Sequence, residues 1–137
     1  MNNILFFMTP KAMCSYMYDD YTIRQALEKM ESAGYSAVPI LSRKGYYLGT
    51  LTEGDLLWAM KNMCDMDIHK AETCRIMDIS RRKDNVPVRV TASMKDLIQR
   101  ASHQNAVPVV DDYGSFIGLV TRKAIIKYCQ DQLFPAE

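Results

Sequence analysis

Apolar residues fall on a helical period twice along the chain. Ile23, Ala26, Leu27 and Met30 occupy positions i, i+3, i+4 and i+7, with Thr22 placed as an N-cap. Met94, Leu97, Ile98 and Ala101 repeat that face behind Ser93. Each helix is followed by a short apolar strand with a proline inside it, residues 37–41 and 106–110. A strand proline argues for an edge position or a strand start, because it has no N–H to donate to a ladder. A polar turn comes next, then a second strand through paired glycines, Gly45 and Gly49 or Gly114 and Gly118. A closing helix ends each half, its apolar face carrying Leu56, Leu57 and Met60 or Ile125, Ile126 and Cys129.

The two runs are one pattern written twice, 69 positions apart, with a two-residue slip over the first helix. Val38-Pro39 faces Val107-Pro108, Thr52 faces Thr121, and Met8 faces Met77. The most polar word of the first run changes in the second, where Asp55 faces Ala124. Each β-α-β-β-α unit has about 60 residues, too few to bury a sufficient core alone. The expected fold is therefore α+β, two such repeats packed through their sheets as a pseudo-two-fold pair. Repeat 1 is expected over 1–60, a polar, methionine-rich linker over 61–75, and repeat 2 over 76–137.

Composition narrows the function classes. A net charge of +1 over 137 residues excludes a general nucleic-acid binder, which carries a basic face or tail. The apolar stretch 4–8 is too short for a membrane span or signal segment and is stopped by Pro10. Four scattered cysteines with no C-x-x-C pair point to reduced thiols and a cytoplasmic protein. Cys64, His69 and Cys74 match no common zinc spacing, so no metal is expected. Glu53 and Asp55 project to different sides of their helix, and no Ser/His/Asp or Cys/His set is suggested, so an enzyme is not expected. Leu57, Trp58, Ala59 and Met60 on one closing helix, and Tyr128 on the other, are expected to expose apolar surface and support a homodimer.

The pattern G-h-h-T-x-x-D-h over 49–56, preceded by "YSAVPI" and opened by "MTP", resembles the cystathionine-β-synthase (CBS) domain, and its duplication resembles the tandem Bateman module. The resemblance covers nearly the whole chain. It implies a regulatory module that binds adenosine-containing ligands such as AMP, ADP, ATP, S-adenosylmethionine or cyclic di-AMP in clefts between the repeats. It also implies a stand-alone sensor that modulates an unidentified partner protein, requires no cofactor, and takes an adenine nucleotide as its regulatory ligand. In the family the threonine at Thr52 approaches phosphate and the aspartate at Asp55 grips ribose. Tyr35, Ser36 and Ala37, with Pro39 in the strand behind them, would line the adenine.

The residues read on their own agree. Thr52 starts a helix whose first N–H groups are unpaired and attract anions, and Asp55 offers acceptors for two hydroxyls. T-x-x-D is equally a capping box that serves helix stability alone. In the second half Thr121 remains, Ala124 cannot hold ribose, and Arg122 and Lys123 could face phosphates instead or be ordinary solvated surface. Arg81-Arg82-Lys83 is a further basic cluster that could join them, or simply a solvated loop. The alternative reading is a structural dimerisation or interaction module with degenerate clefts.

Overall fold

The structure, a computed structural model, describes residues 3–81 and 84–136. In chain order its strands and helices are β1 (Thr9–Pro10), β2 (Met17–Tyr18), α1 (Ile23–Ala33), β3 (Ala37–Leu41), β4 (Tyr47–Thr52), α2 (Glu53–Asn62), β5 (Val88–Arg89), α3 (Met94–Ala101), β6 (Ala106–Val110), β7 (Phe116–Thr121) and α4 (Arg122–Leu133). The fold is α+β, with the β-α-β-β-α order expected of each half. The compact units are cut differently from the sequence repeats. One is Ser15–Asp84; the other joins Met1–Cys14 to Asn85–Glu137. The segment 61–75 is part of the first unit, contributing Cys64 and Ala71 to its core at no exposure.

In the unit Ser15–Asp84 the sheet order is β2-β3-β4. Its core gathers Ile23, Ala26 and Met30 of α1, Val38 and Ile40 of β3, and Leu56, Ala59 and Met60 of α2. Those α1 residues are the periodic face read from the sequence. Thr22 caps α1 through a reciprocal box with Gln25, and Gly34 ends it at φ 70, a left-handed backbone that glycine adopts without a Cβ penalty. Ala59 and Met60 are buried, whereas Leu57 and Trp58 are exposed, so the apolar surface expected along α2 is narrower than all four residues.

In the other unit the order is β1-β7-β6-β5, with β1 antiparallel on the outer edge of β7. Ile4, Leu97, Val107, Val109, Val120 and Ile125 make its core. Tyr128 does not stand free: it packs edge-on against Phe7, ring centroids 5.1 Å apart, and is only partly exposed.

Both strand prolines sit in central strands, not at sheet edges. The conflict resolves locally. Pro39 pairs with Thr50 of β4, while β2 on the other side reaches only Ile40 and Leu41. Pro108 pairs with Leu119, while β5 reaches only Val109 and Val110. Each proline thus lies where its strand is flanked on one side, and no ladder bond needs the missing N–H.

Candidate functional site: the first turn of helix α2

The start of α2 is fixed by two reciprocal bonds. Thr52, extended at the N-cap, accepts the Asp55 N–H on its hydroxyl at 3.0 Å, and Asp55 Oδ2 accepts the Thr52 N–H at 3.0 Å. Asp55 is only 4 % exposed. The Glu53 N–H donates to the Ser36 carbonyl at 2.9 Å, which ties the helix start to the entrance of β3. Below this turn lies a cavity of about 340 Å³, lined by Asp55, Trp58, Asn62, Met63, Ile79 and Ser80 among others. It combines an acid, an aromatic face and a hydroxyl, a lining suited to a sugar and a base.

A polar cluster covers the outer edge of β4. Asp84 Oδ1 accepts the Thr50 N–H at 3.0 Å and Arg81 Nε at 2.7 Å, and its Oδ2 accepts Arg81 Nη2 at 3.1 Å. The Tyr47 and Thr50 hydroxyls share a hydrogen bond at 2.6 Å. Burial pushes the Tyr47 phenol up to about 12, against the opposing Thr50 bond. Burial also opposes ionisation of Asp84, yet Arg81 and the Thr50 N–H outweigh it and hold the carboxyl below its ordinary value. Arg81 is kept protonated first by its bond to Asp84, with Asp55 and Tyr47 close enough to add to its field. The cluster depends on Gly49: a Cβ there would come within 2.6 Å of Asp84 Oδ1 and 2.9 Å of Arg81 Nη2. Arg82 and Lys83, the rest of the basic run, lie outside the described residues. Sequence reading missed Asp84, although its spacing from Arg81 is that of an ion pair on one turn.

The remaining candidates are spread out. Tyr35, 59 % exposed, lines a separate opening of about 690 Å³ with Leu27, Met30, Leu57, Met60 and Met66, not the cavity of Asp55. Ser36 is exposed and engaged through its carbonyl, Ala37 begins β3 half-buried, and Pro39 is buried within it. Thr121, Arg122 and Lys123 belong to the other unit. Thr121 caps α4 by accepting the Ala124 N–H at 3.1 Å, and Ala124 returns nothing. Arg122 turns back, its Nε donating to the Ala101 carbonyl at 2.7 Å, so this guanidinium serves the end of α3. Lys123 is exposed. Gln104, the counterpart of Tyr35, is buried and clamps Val86, accepting its N–H at 2.8 Å and donating to its carbonyl at 3.2 Å. Among the described residues no group of three or more His, Cys, Asp or Glu is placed to hold a metal, and no helix is long and apolar enough to cross a membrane.

A duplicated β-α-β-β-α unit with a Thr-x-x-Asp helix start defines a class, and the chain belongs to it: the CBS domain family matches twice, over residues 7–62 and 76–131. Among solved structures, a CBS domain protein from Streptococcus pneumoniae TIGR4 matches with a TM-score of 0.83 at 22 % identity, over 96 % of this chain and 88 % of that one. CbpB from Listeria monocytogenes, solved in complex with c-di-AMP, matches with a TM-score of 0.81 at 18 % identity, over 94 % and 96 %. CBSX2 in complex with AMP matches with a TM-score of 0.75 at 21 % identity, over 97 % and 99 %. No curated protein matches the chain in sequence.

Proposed function

We propose that the chain is a regulatory module that binds an adenosine-containing nucleotide (AMP, ADP, ATP or cyclic di-AMP) against the first turn of α2 and passes occupancy on to a partner protein. The observation that carries this reading is the cavity under Asp55, with Trp58 and Ser80 in its lining. Asp55 would accept the ribose hydroxyls on its carboxylate, and Thr52 would present the helix start to phosphate. The module works by binding, without catalysis, in the cytoplasm. Fold neighbours solved with c-di-AMP and AMP support a nucleotide ligand. Leu57 and Trp58, 53 % and 40 % exposed, favour a homodimer, and sedimentation as a monomer at tens of micromolar would remove that part.

A second reading is favoured by one observation. Asp55 is almost fully buried with Oδ2 already bound in the cap, as it would be in an interaction module that never meets a nucleotide. Thermal shift with AMP, ADP, ATP and cyclic di-AMP separates the two. A ligand at 100 times its Kd adds about 2.7 kcal/mol, a rise of several degrees in Tm. No shift with any of the four selects the interaction module.

A further inference from the structure

The two closing helices carry opposite charge around the same exposed apolar residue. On α2, Leu57 is 53 % exposed; its counterpart on α4, Ile126, is 58 % exposed. Leu57 borders the opening of about 690 Å³ with Met30 and Met60 of the core, and two exposed carboxylates, Glu31 and Glu53, line it beside them. Among the described residues that lining holds no Lys or Arg. In the other unit the sign reverses. Arg122 stands where α2 has Glu53, Lys123 stands where it has Gly54, and the first turn of α4 contains no acid. On α3, Ile98 is exposed where α1 has Leu27.

The wall of the opening is notched as well. Gly54 lies within α2, where glycine is a poor helix former, yet a Cβ there would meet only Thr52 Oγ1, in ordinary contact at 3.7 Å. No described residue of the chain requires that position to be bare; another chain lying close against it would. Met66 adds to the same lining. It is held at φ 57, its N–H donating to the Met60 carbonyl at 2.8 Å, and this left-handed backbone disfavours a side chain as large as the exposed one it carries.

We propose that a second copy of the chain covers this opening, the α1/α2 face of one copy receiving the α3/α4 face of the other. The inference rests on the homodimer reading above and goes beyond it by naming which faces meet. Leu57 and Ile126 supply apolar burial. Lys123 crosses the bare backbone at Gly54 and brings its ammonium to Glu53. Arg122 already donates its Nε to the Ala101 carbonyl at 2.7 Å, so exposed Lys123 is the cation that reaches out. Charge makes the choice between pairings. Two α1/α2 faces together would set Glu31 and Glu53 against their own copies, and two α3/α4 faces would do the same to Arg122 and Lys123. Like charges placed together suppress the wrong pairing, and opposite charges fix the right one.

The test is sedimentation of the full chain as wild type, Glu53→Lys, Lys123→Glu and the double variant. Each single reversal puts like charges on both faces and should weaken association by roughly tenfold, and the double variant should recover it. A carbodiimide, which joins a carboxylate to an amine already in contact, locates the pairing directly in an equal mixture of unlabelled and heavy-isotope-labelled chains. Trypsin leaves Glu53 in peptide 45–61 and Lys123 in peptide 123–127, and these two should be found linked with one light and one heavy partner. A wild type that sediments as a monomer at tens of micromolar removes the homodimer and this pairing with it. A dimer that neither reversal weakens, a double variant as weak as the singles, or links only between peptides of one isotope overturns the pairing and leaves the homodimer standing.

Discussion

Strands β4 and β7 are the same strand in two settings. Both run antiparallel to a proline strand in the same register, Ala37 facing Thr52 and Ala106 facing Thr121, and both shift register just before the end of that pairing. Both lead into a helix capped by their last threonine. Their outer edges differ. β7 is covered by backbone, since β1 pairs Thr9 with Leu119 and Pro10 with Gly118. At Gly49 and Thr50, β4 is covered by side chains, the Asp84 carboxylate and the Arg81 guanidinium. An edge N–H must find an acceptor, but a carbonyl and a carboxylate both serve. The carboxylate brings an ionisable group and a cation to one half alone, the half that also holds Asp55.

The glycines give the largest test of this difference. A Cβ on Gly118 would lie 2.4 Å from the Thr9 carbonyl oxygen and 2.6 Å from the Met8 side chain, so β1 must be displaced. The atoms nearest a Cβ on Gly49 belong to the Asp84 and Arg81 side chains, which can withdraw at the loss of the bond to Thr50. Gly118→Ala should therefore destabilise by about 3 kcal/mol and Gly49→Ala by about 1 kcal/mol, read from urea unfolding. Equal losses would mean that the two edges are covered alike.

Asp55→Ala comes next. Hydrogen bonds to a charged group contribute about 1.5–3 kcal/mol, so nucleotide affinity should fall roughly tenfold to a hundredfold in calorimetry. The same change opens the capping box and should cost about 1 kcal/mol of stability. Thr52→Ala serves as the control for the cap, and should lose similar stability with a smaller loss of affinity. If both variants bind nucleotide as the wild type does, the box is only a cap.

The ion pair on β4 predicts a pH signature. The folded pKa of Asp84 lies below its unfolded value of 3.8, so its contribution is complete above that value and is lost as pH falls through the folded pKa. Asp84→Asn should lower stability at neutral pH by less than about 1 kcal/mol, because the pair is partly exposed and screened. The gap between variant and wild type should close below about pH 4. A gap that persists in acid would assign the loss to packing instead.

Much of this was legible in the sequence. The helix faces, the paired glycines and the Thr-x-x-Asp start are local signals, and the repeat doubled the first two. What escaped was set by long-range pairing. Nothing local says that residues 9–10 join β7. Tyr35 stands before β3 and Asp55 in the first turn of α2, and they line different cavities, which the sequence pattern alone does not show. The sequence places Arg122 at the start of α4 and gives no sign of the bond it makes there. The carbonyl of Ala101 that accepts it lies 21 residues back, on another helix end.

The smallest effect is expected where the two halves first diverged to the eye, at Ala124. Among the four helix starts, Thr22, Thr52 and Ser93 have complete capping boxes, while Thr121 accepts the Ala124 N–H and receives no side chain in return. Ala124→Asp would supply the missing acceptor and place a negative charge in a first turn that now holds only Arg122 and Lys123. A carboxylate at a helix N-terminus stabilises by about 0.3–1 kcal/mol, and the poorer helix propensity of aspartate removes part of that. A net gain of a few tenths of a kcal/mol is expected, measurable as a rise of about one or two degrees in Tm. Nucleotide stoichiometry should stay at one per chain, because the β7 edge beside Gly118 is filled by Thr9 and Met8. If calorimetry on Ala124→Asp instead counted two sites, the aspartate alone would make a site, and the backbone cover of β7 would not prevent it.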